Sequence, residues 1–336
     1  MLEPPDVPEP AIFSALRDGY GVEARALTFL PLGQDTAAWV YRVEALDGRA
    51  YFLKLRGDRP QAAGLAVPRY LADQGLAQVP AALRTRSGRL WHPLDDFSII
   101  LYPFIEDAQP LPSEQTDEQW RHFGAAMRRI HTTVLPPELA ALIQRDLFEP
   151  AANDLVLALD AQMKPQSFDE PLARELAAFW CERQREIRAV VAQAEALGQR
   201  LRQRAGAAQV LCHTDIHWDN VLLDAQQRLW LVDWDETRLS LKERDLMFVI
   251  GGISAGWGTP RDAALFFQGY GPAEIDAAAL AFYRADWAVQ DIGSYAERVL
   301  ALHEMGEATR HEALGLFKGL FGPGQIVEKA LGTAVD

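Results

Sequence analysis

From Leu27 to Tyr102 short apolar and β-branched segments alternate with turn formers, a strand-like pattern. The pattern predicts strands over residues 28–32, 39–45, 51–56, 90–92 and 97–102. Asp47-Gly48 sits between Trp-Val-Tyr-Arg-Val and Tyr-Phe-Leu-Lys-Leu, where a tight turn needs positive φ and glycine supplies it without a Cβ clash. The second and third strands are therefore expected to pair. A helical pattern over residues 62–74 interrupts the strands, and Pro68 within it predicts a kink or a late start.

Beyond Tyr102 the pattern changes. Residues 103–112 are bounded by Pro103 and Pro112 and read as a hinge, after which apolar residues recur at three- and four-residue spacings over 120–131 and 172–201. A second hairpin is legible in residues 221–223, a turn at 224–228, and residues 229–232; helices then resume toward the C-terminus. No internal repeat or low-complexity tract is visible. The expected fold is α+β and bilobal: a small β-rich lobe over 1–102, the hinge at 103–112, and a larger helical lobe over 113–336 carrying the second hairpin.

Composition narrows the partners. The 336 residues are 49% apolar and 24% charged, enough core material for about two domains without crosslinks. Two cysteines, Cys181 and Cys212, are too few for a disulfide framework and are read as buried thiols of a reducing compartment. With 33 basic against 47 acidic side chains the net charge is −14, which argues against nucleic acid; the same field would concentrate a cationic small molecule, but an acidic balance also simply keeps proteins in solution, so charge alone does not decide the ligand. The N-terminal Met-Leu-Glu-Pro-Pro-Asp lacks the basic-then-apolar order of a signal peptide. No uncharged apolar stretch approaches the ~20 residues that span a bilayer. A cytoplasmic protein without a membrane partner is expected, of undefined oligomeric state.

The chemistry concentrates in residues 211–236, which contain His213-x-Asp215-x4-Asn220, the hairpin, and then Asp233. Phosphoryl transfer needs an acid beside the attacking hydroxyl and hard oxygen ligands for Mg²⁺, and an Asp, Asn, Asp set around a hairpin can supply them. The same residues could be turn and capping groups, but their combination with Lys54 on the third strand favours catalysis. These segments, with Leu32-Gly-Gln-Asp-Thr-Ala-Ala-Trp-Val-Tyr-Arg-Val43 and the hinge after Ile99-Ile-Leu-Tyr102, resemble the aminoglycoside phosphotransferases, which have a protein-kinase-like fold.

The resemblance implies that Asp215 orients the acceptor hydroxyl and takes its proton, and that Asn220 and Asp233 hold Mg²⁺. It further implies that Lys54 neutralises ATP phosphates beneath a loop containing Gly33 and Asp35, with Tyr102, Phe104 and Ile105 at the nucleotide. His213 would brace the catalytic loop. The implied acceptor is an aminoglycoside or aminocyclitol such as spectinomycin. One departure stands out: the fold normally pairs the strand lysine with a helix glutamate, yet residues 61–71 contain no acid, leaving Asp58, Asp73 or a different placement of the lysine.

For a cationic acceptor, residues 282–297 offer Asp286 on one helical face and Trp287 and Asp291 on a neighbouring one, although an amphipathic helix with a solvated charged face would show the same pattern; Trp218 in the catalytic loop is a further candidate. Three rival readings remain at this level. His213, Asp215 and His217 alternate and would converge on a metal in a hydrolase if the segment were a strand. A silent nucleotide-binding module is another, and a kinase of the same fold acting on an amino alcohol or sugar is the third.

Overall fold

The computed structural model describes residues 3–32, 35, 37–111, 115–204, 206, 208–301 and 305–332. The chain forms two compact units, Met1–Gln144 with His213–Arg238, and Arg145–Cys212 with Leu239–Asp336.

The first unit begins with helix α1 (Glu9–Tyr20), preceded by Pro8 and closed by Gly21 at φ 71°. This helix escapes the periodicity reading, although a proline at its start and a glycine just past its end are the expected signals for a helix of this kind. A five-stranded antiparallel sheet follows in the order β1-β2-β3-β5-β4. Its strands are β1 (Ala24–Leu30), β2 (Ala38–Ala45), β3 (Ala50–Arg56), β4 (His92–Leu94) and β5 (Phe97–Pro103). The hairpin turn at Asp47-Gly48 joins β2 and β3, with Gly48 at φ 83° and Val43 opposite Tyr51. Leu53, Leu55, Ile99 and Leu101 pack with Ile12 and Leu16 of α1 into one core. Strand alternation then sends Phe52, Lys54 and Arg56 to the opposite face.

Helix α2 (Ala62–Asp73) runs through Pro68 and does not start late. Helix α3 (Asp117–His131) opens with a capping box in which Thr116 accepts from the Gln119 N–H at 3.2 Å and Gln119 accepts from the Thr116 N–H at 2.9 Å. Helix α4 is short (Pro137–Ala140). The expected hinge contains a strand, β6 (Gln109–Pro110), which pairs with β8 (Val221–Leu223); β8 in turn pairs with β9 (Leu229–Leu231).

The second unit is built on long helices. α5 (Asn153–Gln162), α6 (Pro171–Arg202), α9 (Ala277–Leu300), α10 (Glu307–Gly319) and α11 (Ile326–Gly332) enclose an apolar core that includes Trp180, Ile292 and Phe317. The Trp180 and Phe317 rings stack at 5.6 Å. α7 (Glu243–Leu246) and α8 (Pro260–Tyr270) complete the helices, and β7 (Val210–Cys212) pairs with β10 (Arg238–Ser240). Cys212 is buried, whereas Cys181 is exposed, contrary to expectation, because it lies on the outer face of α6. Among the described residues no helix is long and apolar enough to cross a membrane.

Candidate active site

β3 carries the first component. Lys54 is 8% exposed, and its Nζ donates to Asp235 Oδ2 at 2.8 Å and Asp233 Oδ1 at 3.1 Å. Burial alone would make it lose its proton more readily, but the two carboxylates more than reverse this and its pKa is raised. Burial works the other way on the acids. Lys54 overcomes it at Asp233, whose pKa is lowered, but not at Asp235, whose pKa is raised with Asp233 adding to the rise. Asp233 therefore remains the more readily ionised of the two. Its side chain is 41% exposed, so it engages Lys54 while staying open to solvent.

The second component is the segment from His213 to Asn220. Thr214 adopts φ 77°, a conformation that costs a β-branched residue about 1–3 kcal/mol. Its hydroxyl donates to the Glu236 carbonyl at 2.8 Å, and this turn redirects the chain at Asp215. His213 is fully buried; its Nδ1 accepts the Asp215 N–H at 3.4 Å and its Nε2 lies 2.9 Å from the Val232 carbonyl. With Nδ1 accepting, Nε2 carries the proton and donates. Both ring nitrogens are thus committed to main chain, so His213 does not offer the free imidazole that the hydrolase reading requires.

Asn220 closes the arrangement. Its Nδ2 donates to the Asp215 carbonyl at 2.8 Å and to Asp215 Oδ2 at 3.0 Å, and lies 3.2 Å from His217 Nε2. His217 Nε2 is 3.4 Å from Asp215 Oδ1 on the other side, and burial lowers the His217 pKa against the opposing pull of Asp219 and Asp233. Trp218 is half-buried, edge-on to His217 at 6.0 Å. The Val232 N–H donates to the Asn220 carbonyl at 3.0 Å, joining the two ends of the β8–β9 hairpin, and Asp233 follows at φ 62°. Aspartate tolerates that left-handed conformation better than most residues, and it turns the chain immediately after the strand.

The donor set suits a divalent cation. Around β3 the charges of Lys54 and Arg56 meet four carboxylates, those of Asp35, Asp58, Asp233 and Asp235, leaving an anionic surplus. Asn220 commits its amide nitrogen internally, which keeps its side-chain carbonyl oxygen out of those contacts. A carbonyl oxygen and an ionised, exposed carboxylate are the hard ligands Mg²⁺ favours.

Gly33 lies outside the described residues. Asp35 accepts from the Ala37 N–H and from Arg56 Nη1, both at 2.8 Å. Tyr102, on β5, is half-buried and meets Phe52 edge-on at 6.4 Å, and burial pushes its phenol up. Arg42 covers the Phe104 ring at 4.3 Å; Ile105 is half-buried beside it in sequence. Asp58 is taken by Arg56 and Asp73 by Arg69, so neither acid is the lysine partner considered from sequence. Arg56 and Asp235 went unrecognised. Their available signal was spacing: each stands two residues from a candidate, Lys54 or Asp233, on an alternating segment.

In the second unit, α9 carries the acids considered for the acceptor. Asp286 is 4% exposed and accepts from Arg244 Nη1 at 3.2 Å and Gln290 Nε2 at 2.7 Å. Its charge is compensated inside the protein rather than presented outward, which departs from the expected acceptor contact. Asp291 is half-buried, and burial pushes it up to about 7, opposed by Arg298. Trp287 is half-buried with its ring edge-on to Phe248 at 5.0 Å.

Residues 27–287 match the model of the phosphotransferase enzyme family APH. A crystal structure of spectinomycin phosphotransferase APH(9)-Ia in complex with ADP and spectinomycin is 29% identical and superimposes with a TM-score of 0.86 over 98% of this chain and 99% of that one. An AMP-bound complex of the same enzyme gives 0.82 at 28% identity, covering 97% of this chain and 99% of that chain. Protein StrN of Streptomyces griseus is 26% identical over 288 residues, covering 84% of this chain and 82% of StrN. The α+β architecture, an N-terminal antiparallel sheet followed by a larger helical part, is the kinase-like fold of these neighbours.

Proposed function

The chain belongs to the phosphotransferase enzyme family and is an enzyme that transfers phosphate to an alcohol, and we propose that its donor is ATP and its acceptor an aminoglycoside or aminocyclitol hydroxyl, with spectinomycin foremost. The observation that carries the reading is the meeting of Lys54 with Asp233 at 3.1 Å and of Asn220 with Asp215 at 3.0 Å, all within one compact unit. The acceptor is supported by the 29% identity with a spectinomycin phosphotransferase over nearly the whole of both chains.

In this reading Asp215 is the residue that orients the acceptor hydroxyl and takes its proton. Its carboxylate is fixed by Asn220 from one side and His217 from the other, so little is lost in ordering it. Asn220 and Asp233 are the residues that hold Mg²⁺. The ion, when bound, neutralises charge on the transferring phosphoryl group. Lys54 meets the phosphates, and Asp35, Tyr102, Phe104 and Ile105 bound the nucleotide. His213 braces the loop from below through Val232. On α9, Asp291 and Trp287 are assigned to the ammonium of a cationic acceptor, and Asp286 to the internal pairing of Arg244.

The test is phosphate transfer from Mg-ATP to a panel of spectinomycin, other aminoglycosides and simple amino alcohols, with Asp215→Asn as control. Transfer to spectinomycin, reduced about 10²–10⁴-fold in kcat in the control while ATP still binds, is the expected result. Transfer to amino alcohols alone would refute the acceptor assignment, and full activity of Asp215→Asn would refute the catalytic one.

A further inference from the structure

Lys54 takes no carboxylate partner from α2, whose one acid, Asp73, pairs with Arg69, and the local packing at the start of the helix explains why. Residues 61–65 of this region are Gln-Ala-Ala-Gly-Leu. Gly64 comes so close to the turn after β9 that a Cβ there would lie 3.0 Å from the Asp235 Cα and 3.2 Å from the Trp234 carbonyl oxygen. At this point of contact the helix meets main chain, and a longer side chain does not fit. The acid arrives from the other partner of that contact. Asp235 Oδ2 accepts from Lys54 Nζ at 2.8 Å and from Arg56 Nη1 at 2.5 Å, so one oxygen holds both cations.

We propose that Asp235 is the positioning residue for Lys54, in place of a helix carboxylate, and that it holds Arg56 beside it as a second cation facing the nucleotide phosphates. The inference rests on the ATP reading above. Lys54 and Arg56 point to the same face of β3, with side chains 10% and 12% exposed. Arg56 also reaches Asp35 at 2.8 Å, in the loop that the nucleotide reading lays over the phosphates. Asp233 cannot serve as the lasting partner of Lys54, because the same reading commits its carboxylate to Mg²⁺. Asp235 then remains the fixed anion at the lysine, and it positions both cations without touching the substrate.

ADP affinity, measured by titration calorimetry with and without Mg²⁺, reads this directly and needs no acceptor. Asp235→Asn is expected to weaken ADP about tenfold or more, and Lys54→Met similarly. In the Lys54→Met background, Asp235→Asn should cost less than it does alone, since the part that acts through the lysine is already lost and only the part that acts through Arg56 remains. Asp235→Glu, which restores the charge, should recover most of the affinity. Unchanged affinity in Asp235→Asn, or losses that add fully in the double variant, would overturn the inference while leaving the ATP reading intact. Absence of any nucleotide binding by the unmodified protein would overturn both. If Asp235→Asn does not fold, Arg56→Gln decides: a several-fold weaker ADP supports the two-cation floor, and unchanged affinity refutes it.

Discussion

The hairpin that sets the spacing of Asn220 and Asp233 turns on a single buried carboxylate. Asp224 Oδ1 accepts the Gln226 and Arg228 N–H groups, both at 2.9 Å, and Oδ2 accepts Arg228 Nε at 2.7 Å and Trp230 Nε1 at 3.1 Å. Burial alone would raise its pKa, but these donors prevail and hold it at about 2 against an ordinary 3.8. The Asp224 side chain is only 2% exposed, and at about 1.4 kcal/mol for each tenfold change in proton affinity the ionised carboxylate contributes about 2 kcal/mol. Asp224→Asn should remove about that much, because its amide nitrogen would face two donors where an oxygen accepted two. Since the folded pKa is depressed, the contribution is fully present above about 3.8 and is lost as pH falls through about 2. Urea unfolding followed by circular dichroism should show the deficit at pH 7 and at pH 5, narrowing toward pH 3. It should change little in high salt, because three of the four donors are neutral groups. A loss under about 0.5 kcal/mol at pH 7, or a deficit that widens in acid, would refute the reasoning.

Gly64→Ala should destabilise by about 1–3 kcal/mol in thermal unfolding, the opposite of the usual gain for this exchange in a helix, because the added Cβ meets the Asp235 main chain. Asp286→Ala, by leaving Arg244 buried without its partner, should cost about 3–5 kcal/mol, and a loss near zero in denaturant unfolding would remove the internal-pairing assignment. Asp291, held at about 7, is largely protonated below that pH in the folded protein. A cationic acceptor that needs its charge should therefore show a KM that falls as pH rises from 6 to 8, a trend that Asp291→Asn abolishes; the same trend in that variant would clear Asp291 of the role.

Local signals made most of this architecture legible. The Asp47-Gly48 turn and the alternation around it gave the β2–β3 hairpin, and the set His213, Asp215, Asn220 and Asp233 pointed to the site, because these features are written within a few residues of one another. What escaped depends on residues far apart. The two-residue β6 lies among prolines and exists only through pairing with β8. The partner of Lys54 stands 181 residues away, so no window around β3 contains it. A helical wheel places Asp286 and Asp291 on neighbouring faces of α9, but only the packing tells which meets Arg244 and which is left half-buried.

The same distance in sequence gives the lysine partner its mechanical meaning. A carboxylate on α2 would make the placement of Lys54 depend on how that helix docks. With Asp235 as partner, Lys54 is tied to the turn that also carries Asp233, and that turn is fixed by the β8–β9 hairpin through the Val232–Asn220 hydrogen bond. Lysine, the two aspartates and Asn220 thus share one support. A perturbation at Asp224 should consequently reach further than the hairpin itself, weakening ADP binding along with Mg²⁺ dependence, whereas a change on the outer face of α2 should do neither. ADP affinity in Asp224→Asn compared with Arg69→Ala, which breaks only the surface pair with Asp73, separates the two cases.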